Sequence, residues 1–185
     1  MNQSYILPNA WSLIEEGFDP SRVKSSESLF SIGNGAMGQR ANFEEYYSGP
    51  TFQGSYMGGV YYPDKTRVGW WKNGYPAYFA KVLNAPSWIG IYIKVNGQDL
   101  DLYTAKEVPA FRRELQMQTG LLLRSFEVTL LDETRLRVES TRFLSLAQDS
   151  IGAIEYKITL LDGEADIEVK SFLDSGVKNE DSNWD

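Results

Sequence analysis

Glu44 and Glu45 are adjacent carboxylates, the residue type that hydrolyses or phosphorolyses a glycosidic bond. Such chemistry needs carboxyls on opposite sides of the bond. Neighbours on an extended strand point to opposite faces, so this pair cannot flank one substrate if the chain is extended there. A solvated or turn-facing pair is the expectation. Asp99 and Asp101, in QDLDL, would share one face of a strand and could offer oxygens to a hard cation. Two ligands are too few, and the flanking residues add none, so no metal is expected.

Aromatic residues offer a second chemistry. Trp70, Trp71, Tyr75 and Tyr78 crowd a stretch that also holds Lys72 and Asn73. Ring faces stack on the apolar faces of sugars, and Lys and Asn can bond hydroxyls. The same residue types seal contacts with another domain or subunit, because Tyr and Trp are large, amphipathic and low in entropy cost. The interface reading is the favoured one. Gly33, Gly35 and Gly38 fit a G-x-G-x-x-G pattern, but no Lys-Ser/Thr ending and no clear following helix accompany them. Gly33-Asn34-Gly35 is therefore read as a tight turn between strands. Arg112, Arg113, Arg124, Arg135, Arg137 and Arg142 could be an anion site. The simpler reading makes most of them outward charges on a one-sided sheet, balanced by Glu114, Glu127 and Glu139.

The elements that would position these residues are strands. WIGIYIKVNGQDLDL puts Ile89, Ile91, Ile93 and Val95 on one face, then turns at Asn96-Gly97, a type I′ hairpin signal. LQMQTGLLLRSFEVTL, TRLRVESTRFLSL, SIGAIEYKITLLDG and ADIEVKSFLD follow with period-two patterning. Leu136, Val138 and Ser140 alternate with Arg135, Arg137 and Glu139. Thr119-Gly120, Asp132-Glu133 and Asp162-Gly163 separate the runs as turns. Short turns between alternating runs predict an all-β, antiparallel β-sandwich of at least seven strands. Trp11–Phe18 reads as a short helix or an extended lead-in, and Asp19-Pro20-Ser21 as a turn. Residues 46–78 have loop composition with anchoring aromatics.

Composition narrows the function classes. The 185 residues suffice for one domain with a sizeable core. A net charge of −7 repels phosphate backbones, which argues against nucleic acid. No basic amphipathic stretch or membrane-length apolar run points to a membrane. With no histidine there is no His-based catalytic triad, His-ligated zinc or imidazole shuttle. With no cysteine there is no disulfide or thiolate, which fits a reducing compartment such as the cytoplasm. The polar ending VKNEDSNWD reads as a cut inside a longer chain, so residues 1–185 are taken as one fragmentary N-terminal domain.

SLFSIGNGAMGQRANFEE, FRRELQMQTGLLLRSFEV and RVESTRFLSL, in that order, resemble the opening motifs of glycoside hydrolase family 65, the disaccharide phosphorylases. The stretch RVGWWKNGYPAYFAKVLNAPSWIGIYIKVNGQDLDL is most similar to the maltose-acting branch. The resemblance runs from about Trp11 to about Asp174. It implies an N-terminal supersandwich of the galactose-mutarotase-like kind, followed in the family by a helical linker, an α/α-barrel and a small sheet domain. It places the general acid and the phosphate site in the barrel, so no catalytic residue is carried over to this chain. It implies inorganic phosphate as co-substrate, no metal or organic cofactor, and two partners, the chain's own catalytic barrel and a second copy in a homodimer. Trp70, Trp71 and Tyr75 become expected contacts with the barrel or with the rim of its active site. A mutarotase-like activity is disfavoured, since it relies on histidine.

Overall fold

Alternating apolar and polar residues over nine or ten positions make long half-buried strands, and the chain has several of them. The computed structural model describes residues 5–66, 74 and 76–179. It begins with a hairpin, β1 (Ile6–Asn9) and β2 (Ser12–Glu16), so the lead-in is extended. The Asp19 carboxylate accepts the Ser21 amide at 2.9 Å and caps a 3-10 turn, Pro20–Arg22, which runs into α1 (Val23–Leu29). Short strands β3 (Ile32–Gly33), β4 (Met37–Gln39) and β5 (Ser55–Met57) form a small sheet.

A two-stranded ribbon follows, β6 (Tyr61–Lys65) with β7 (Tyr78–Val82). The region expected to be loop therefore contains paired strands; its Gly and Pro content hid them. Then β8 (Ser87–Val95) and β9 (Gln98–Asp99) form a hairpin. Asn96 and Gly97, at φ 50° and 78°, make the turn with the two positive angles that type I′ needs. Strands β10 (Glu107–Gln116), β11 (Leu121–Thr129), β12 (Arg135–Leu144) and β13 (Gly152–Leu160) run up and down, and β14 (Ile167–Asp174) follows. All three expected turns between these runs are present, with left-handed residues at Gly120, Glu133 and Gly163.

A six-stranded sheet in the order β1-β2-β10-β11-β12-β13 is one layer. The sheet β14-β8-β9 faces one end of it, and the sheet β3-β4-β5 with α1 faces the other. The expected antiparallel sandwich is thus present, with a second layer built from two pieces. Burial along β12 alternates strictly for its first six residues, with Leu136, Val138 and Ser140 inward. The inner faces make two separate apolar clusters. Ile93 and Val95 of β8 pack with Phe111, Phe126, Val128, Leu136 and Val138. Phe30, Ile32 and Ala41 pack with Leu13, Leu115, Leu122 and Leu144.

Candidate functional site

The two apolar clusters are separated by a polar belt across the inner face of the six-stranded sheet. Strand register lays it out: Glu15 of β2 stands opposite Arg113 of β10, Arg113 opposite Arg124 of β11, Arg124 opposite Ser140 of β12, and Ser140 opposite Tyr156 of β13. On each long strand the pattern is apolar, polar, apolar at every second residue, as in Phe111-Arg113-Leu115 and Leu122-Arg124-Phe126. The 40–47 segment lies over this belt. It is tied to α1 by the Ala41 amide donating to the Glu27 carbonyl at 2.9 Å, and to β8 by the Ile91 amide donating to the Glu44 carbonyl at 2.8 Å.

Glu44 and Glu45 come down from that segment onto the belt. Arg124 donates to both oxygens of Glu45, at 2.5 and 2.6 Å, and also bonds Glu44. Arg142 pairs with the other oxygen of Glu44 at 2.9 Å and donates to the Asn42 carbonyl at 2.8 Å. The Tyr156 hydroxyl donates to Glu45 at 2.9 Å, and that of Ser140 to Glu44 at 3.3 Å. Arg124 also stacks between Phe43 and Phe126, 4.8 and 5.1 Å from the ring centres. Further along, Arg113 meets Glu15 at 3.4 Å among Phe30, Phe43 and Phe111, and the Ser26 hydroxyl donates to Glu15 at 2.6 Å.

Of the expected solvated or turn-facing Glu44-Glu45 pair, solvation is therefore wrong, while the pair does lie at a bend. They are 3% and 4% exposed. They sit in a bend, so strand alternation does not apply, and both side chains reach one guanidinium. The reading of the arginines holds for Arg112, Arg135 and Arg137, which pair with Glu16, Asp162 and Glu127 on the outer face. It fails for Arg113, Arg124 and Arg142, which are buried. Carrying the Leu136-Val138-Ser140 parity two residues on reaches Arg142. The same count from Phe111 and Phe126 reaches Arg113 and Arg124.

Burial and pairing set the charges. Burial would raise the Glu44 carboxyl, but Arg142 and Arg124 outweigh it and hold the carboxyl below its ordinary value. Burial alone would lower Arg124, yet Glu45 and Glu44 push it up. Arg113, with weaker pairing, is lowered by burial to about 10 and stays charged at neutral pH. The Tyr156 hydroxyl is raised by burial and then by Glu45. A general acid must reach a substrate and exchange a proton near the working pH. Glu44 is sealed, ionised and committed to two arginines, so it holds segments together instead.

The remaining expected site residues are not assembled either. Asp99 is exposed and accepts the Tyr92 hydroxyl, whereas Asp101 is buried and accepts from Ser48, Tyr103 and Thr104. They do not share a face, because β9 ends at Asp99. Among the described residues no three acidic, His or Cys side chains are placed to hold a metal ion. Gly33-Asn34-Gly35 is a structural turn, with Gly35 at φ +92°. Asn34 accepts the Met37 amide at 2.7 Å and donates to the Ser145 and Asp149 carbonyls at 2.8 and 2.9 Å, stapling β3-β4 to the β12-β13 connection. Trp70, Trp71 and Tyr75 lie outside the described residues. On the ribbon, Tyr61, Tyr62 and Tyr78 are exposed. Among the described residues, no helix is long and apolar enough to cross a membrane.

The model of the glycosyl hydrolase family 65 N-terminal domain matches residues 13–185. The chain belongs to that family. It is 46% identical to a maltose phosphorylase of Bacillus subtilis over 184 residues, covering 100% of this chain and 24% of the relative. It is 27% identical to a kojibiose phosphorylase of Thermoanaerobacter brockii, covering 94% of this chain and 21% of that protein. A solved structure of a human-microbiome protein assigned as a kojibiose phosphorylase superposes with a TM-score of 0.79 at 26% identity. That match covers 94% of this chain and 23% of the other. The chain thus spans about a quarter of the length of these family 65 relatives.

Proposed function

We propose that this chain is the non-catalytic N-terminal domain of an inverting, maltose-type phosphorylase, with residues 1–185 forming one supporting domain. The observation that carries the reading is the 46% identity to a maltose phosphorylase over the whole chain, in a quarter of that protein's length. The belt supports it, since Glu44 and Glu45, the adjacent carboxylates of the residue type used in sugar chemistry, are buried in ion pairs. In the parent reaction, a phosphate oxygen attacks the anomeric carbon as the glycosidic bond breaks. A carboxylic acid outside this chain protonates the departing glucose. An α-linked disaccharide and phosphate give β-glucose 1-phosphate and glucose, with inversion. Phosphate replaces the water and general base of an inverting hydrolase, so one protein carboxyl suffices, and neither metal nor organic cofactor is needed.

On this reading the chain supports its own α/α-barrel, the whole protein is a cytoplasmic homodimer, and Trp70, Trp71 and Tyr75 meet the barrel or the rim of its site. The test offers maltose, trehalose, kojibiose and nigerose with phosphate to the full-length protein, with this chain alone as the control. Maltose phosphorolysis by the full-length protein and none by the chain is the expected result. Turnover by the chain alone overturns the reading, and preference for another sugar overturns the maltose assignment.

The exposed tyrosines of the ribbon favour one second reading, a carbohydrate-binding site within residues 56–79. It predicts that maltose shifts tryptophan fluorescence and that Trp70→Ala or Trp71→Ala removes the shift. An unchanged spectrum rules it out.

A further inference from the structure

The buried charges of the sandwich do not cancel. Among the described residues Glu15, Glu27, Glu44, Glu45 and Asp101 are buried with Arg113, Arg124 and Arg142. Four of the five acids have either a cation or at least four donor contacts. Glu44 and Glu45 are bonded to guanidiniums, Glu15 pairs with Arg113, and Asp101 accepts from the Ser48 amide and hydroxyl, the Tyr103 amide and the Thr104 hydroxyl. Glu27 is different. It is fully buried on α1, forms no ion pair among the described residues, and accepts from the Thr51 hydroxyl and the Phe52 amide, the latter at 2.7 Å, with the Asn42 side chain beside it. Those contacts pin residues 51–52 against the helix, ahead of β5 and the aromatic ribbon.

We propose that Glu27 is a proton-operated latch, which holds the 51–52 segment on α1 while its carboxyl is neutral and releases it when the carboxyl ionises. The neutral acid can donate to the Thr51 oxygen and accept the Phe52 amide, so both contacts survive protonation. The ionised acid is a buried charge served by neutral donors, Thr51, Phe52 and Asn42, with no ion-pair partner among the described residues, which is costly unless water reaches it. The groups around it do not remove that cost. Arg113 of β10 attracts it weakly and is already committed to Glu15 of β2; Tyr47, on the overlying segment, is neutral below about 12. Lys24 on the same helix is exposed, and Arg40 spends its guanidinium on the Lys24 carbonyl, the Ser28 hydroxyl and the Phe52 carbonyl. Burial accordingly raises the Glu27 carboxyl above its ordinary value, against the pull of Thr51, Phe52, Asn42 and Arg113.

The sign is opposite to that of Glu44. A raised carboxyl contributes stability below its unfolded value, and that contribution is lost as pH rises through the folded value. Amide exchange at Phe52 in the full-length protein reads the latch directly. Corrected for intrinsic rate, opening is expected to rise up to about ten-fold per pH unit between the open-state and closed-state values. Glu27→Gln, which mimics the neutral acid, is expected to flatten that profile. Glu27→Met, of similar size and with no proton to lose, should flatten it too if the first variant fails to fold. A wild-type profile that is flat from about pH 5 to pH 8 overturns the proposal. So does a variant that folds and keeps the wild-type slope.

Discussion

Arg112 and Arg113 are neighbours on β10, yet they belong to different worlds. Arg112 faces outward, 2.7 and 2.8 Å from Glu16 and Glu114, with its side chain 41% exposed. Arg113 faces the core at 1% exposure, and Arg124 and Arg142 share its side of the sheet. Outer pairs gain little, because water and salt screen them and long side chains must be ordered to form them. Inner pairs have lost their water, so each charge depends on its partner for compensation. A buried belt is therefore weak evidence for high stability. It is stronger evidence for a unique arrangement, since only one register places Glu15, Arg113 and Arg124 in a row beneath Glu44 and Glu45.

That contrast can be broken in steps. Arg124→Met strands Glu45, leaves Glu44 to Arg142 alone, and is expected to cost about 3–5 kcal/mol in chemical denaturation. Glu15→Leu strands Arg113 and should also destabilise strongly, whereas Glu15→Leu with Arg113→Met removes both charges and should recover most of the loss. A double variant no better than the sum of its singles would show that the pair is not coupled. Acid should act through the belt as well. Glu44 is held below its ordinary value of 4.5, so its contribution stands above that pH and is lost as pH falls through the lowered folded value. Glu44→Gln should lower stability at neutral pH and flatten this acid limb of the profile. On the outer face, Arg112→Ala should cost less than about 1 kcal/mol.

Much of the fold was legible because period-two patterning and turn chemistry agree. Asn96-Gly97, Gly120 and Gly163 turn where their residue types require, and Leu136 and Val138 face inward as counted. The helix Val23–Leu29 was not legible. Its buried residues are Val23, Ser26 and Glu27, so no apolar stripe marks it. The ribbon was hidden by composition, and its strands bury too little to show alternation. The belt was half legible. Strand parity puts Arg113, Arg124 and Arg142 inward, but the prior that arginine faces water outweighs parity until a partner is known. The partners of Arg124 lie in a bend some 80 residues away in sequence, a pairing that neither period nor spacing encodes.

The proposed supporting role requires that Glu44 and Glu45 hold the fold and take no part in turnover. The most direct test substitutes Glu44→Gln and Glu45→Gln in the full-length protein, and measures kcat for phosphorolysis per mole of folded enzyme alongside thermal stability. The account predicts a clear drop in Tm with kcat nearly unchanged. A kcat that collapses while the protein remains folded and its Tm is unmoved would contradict it.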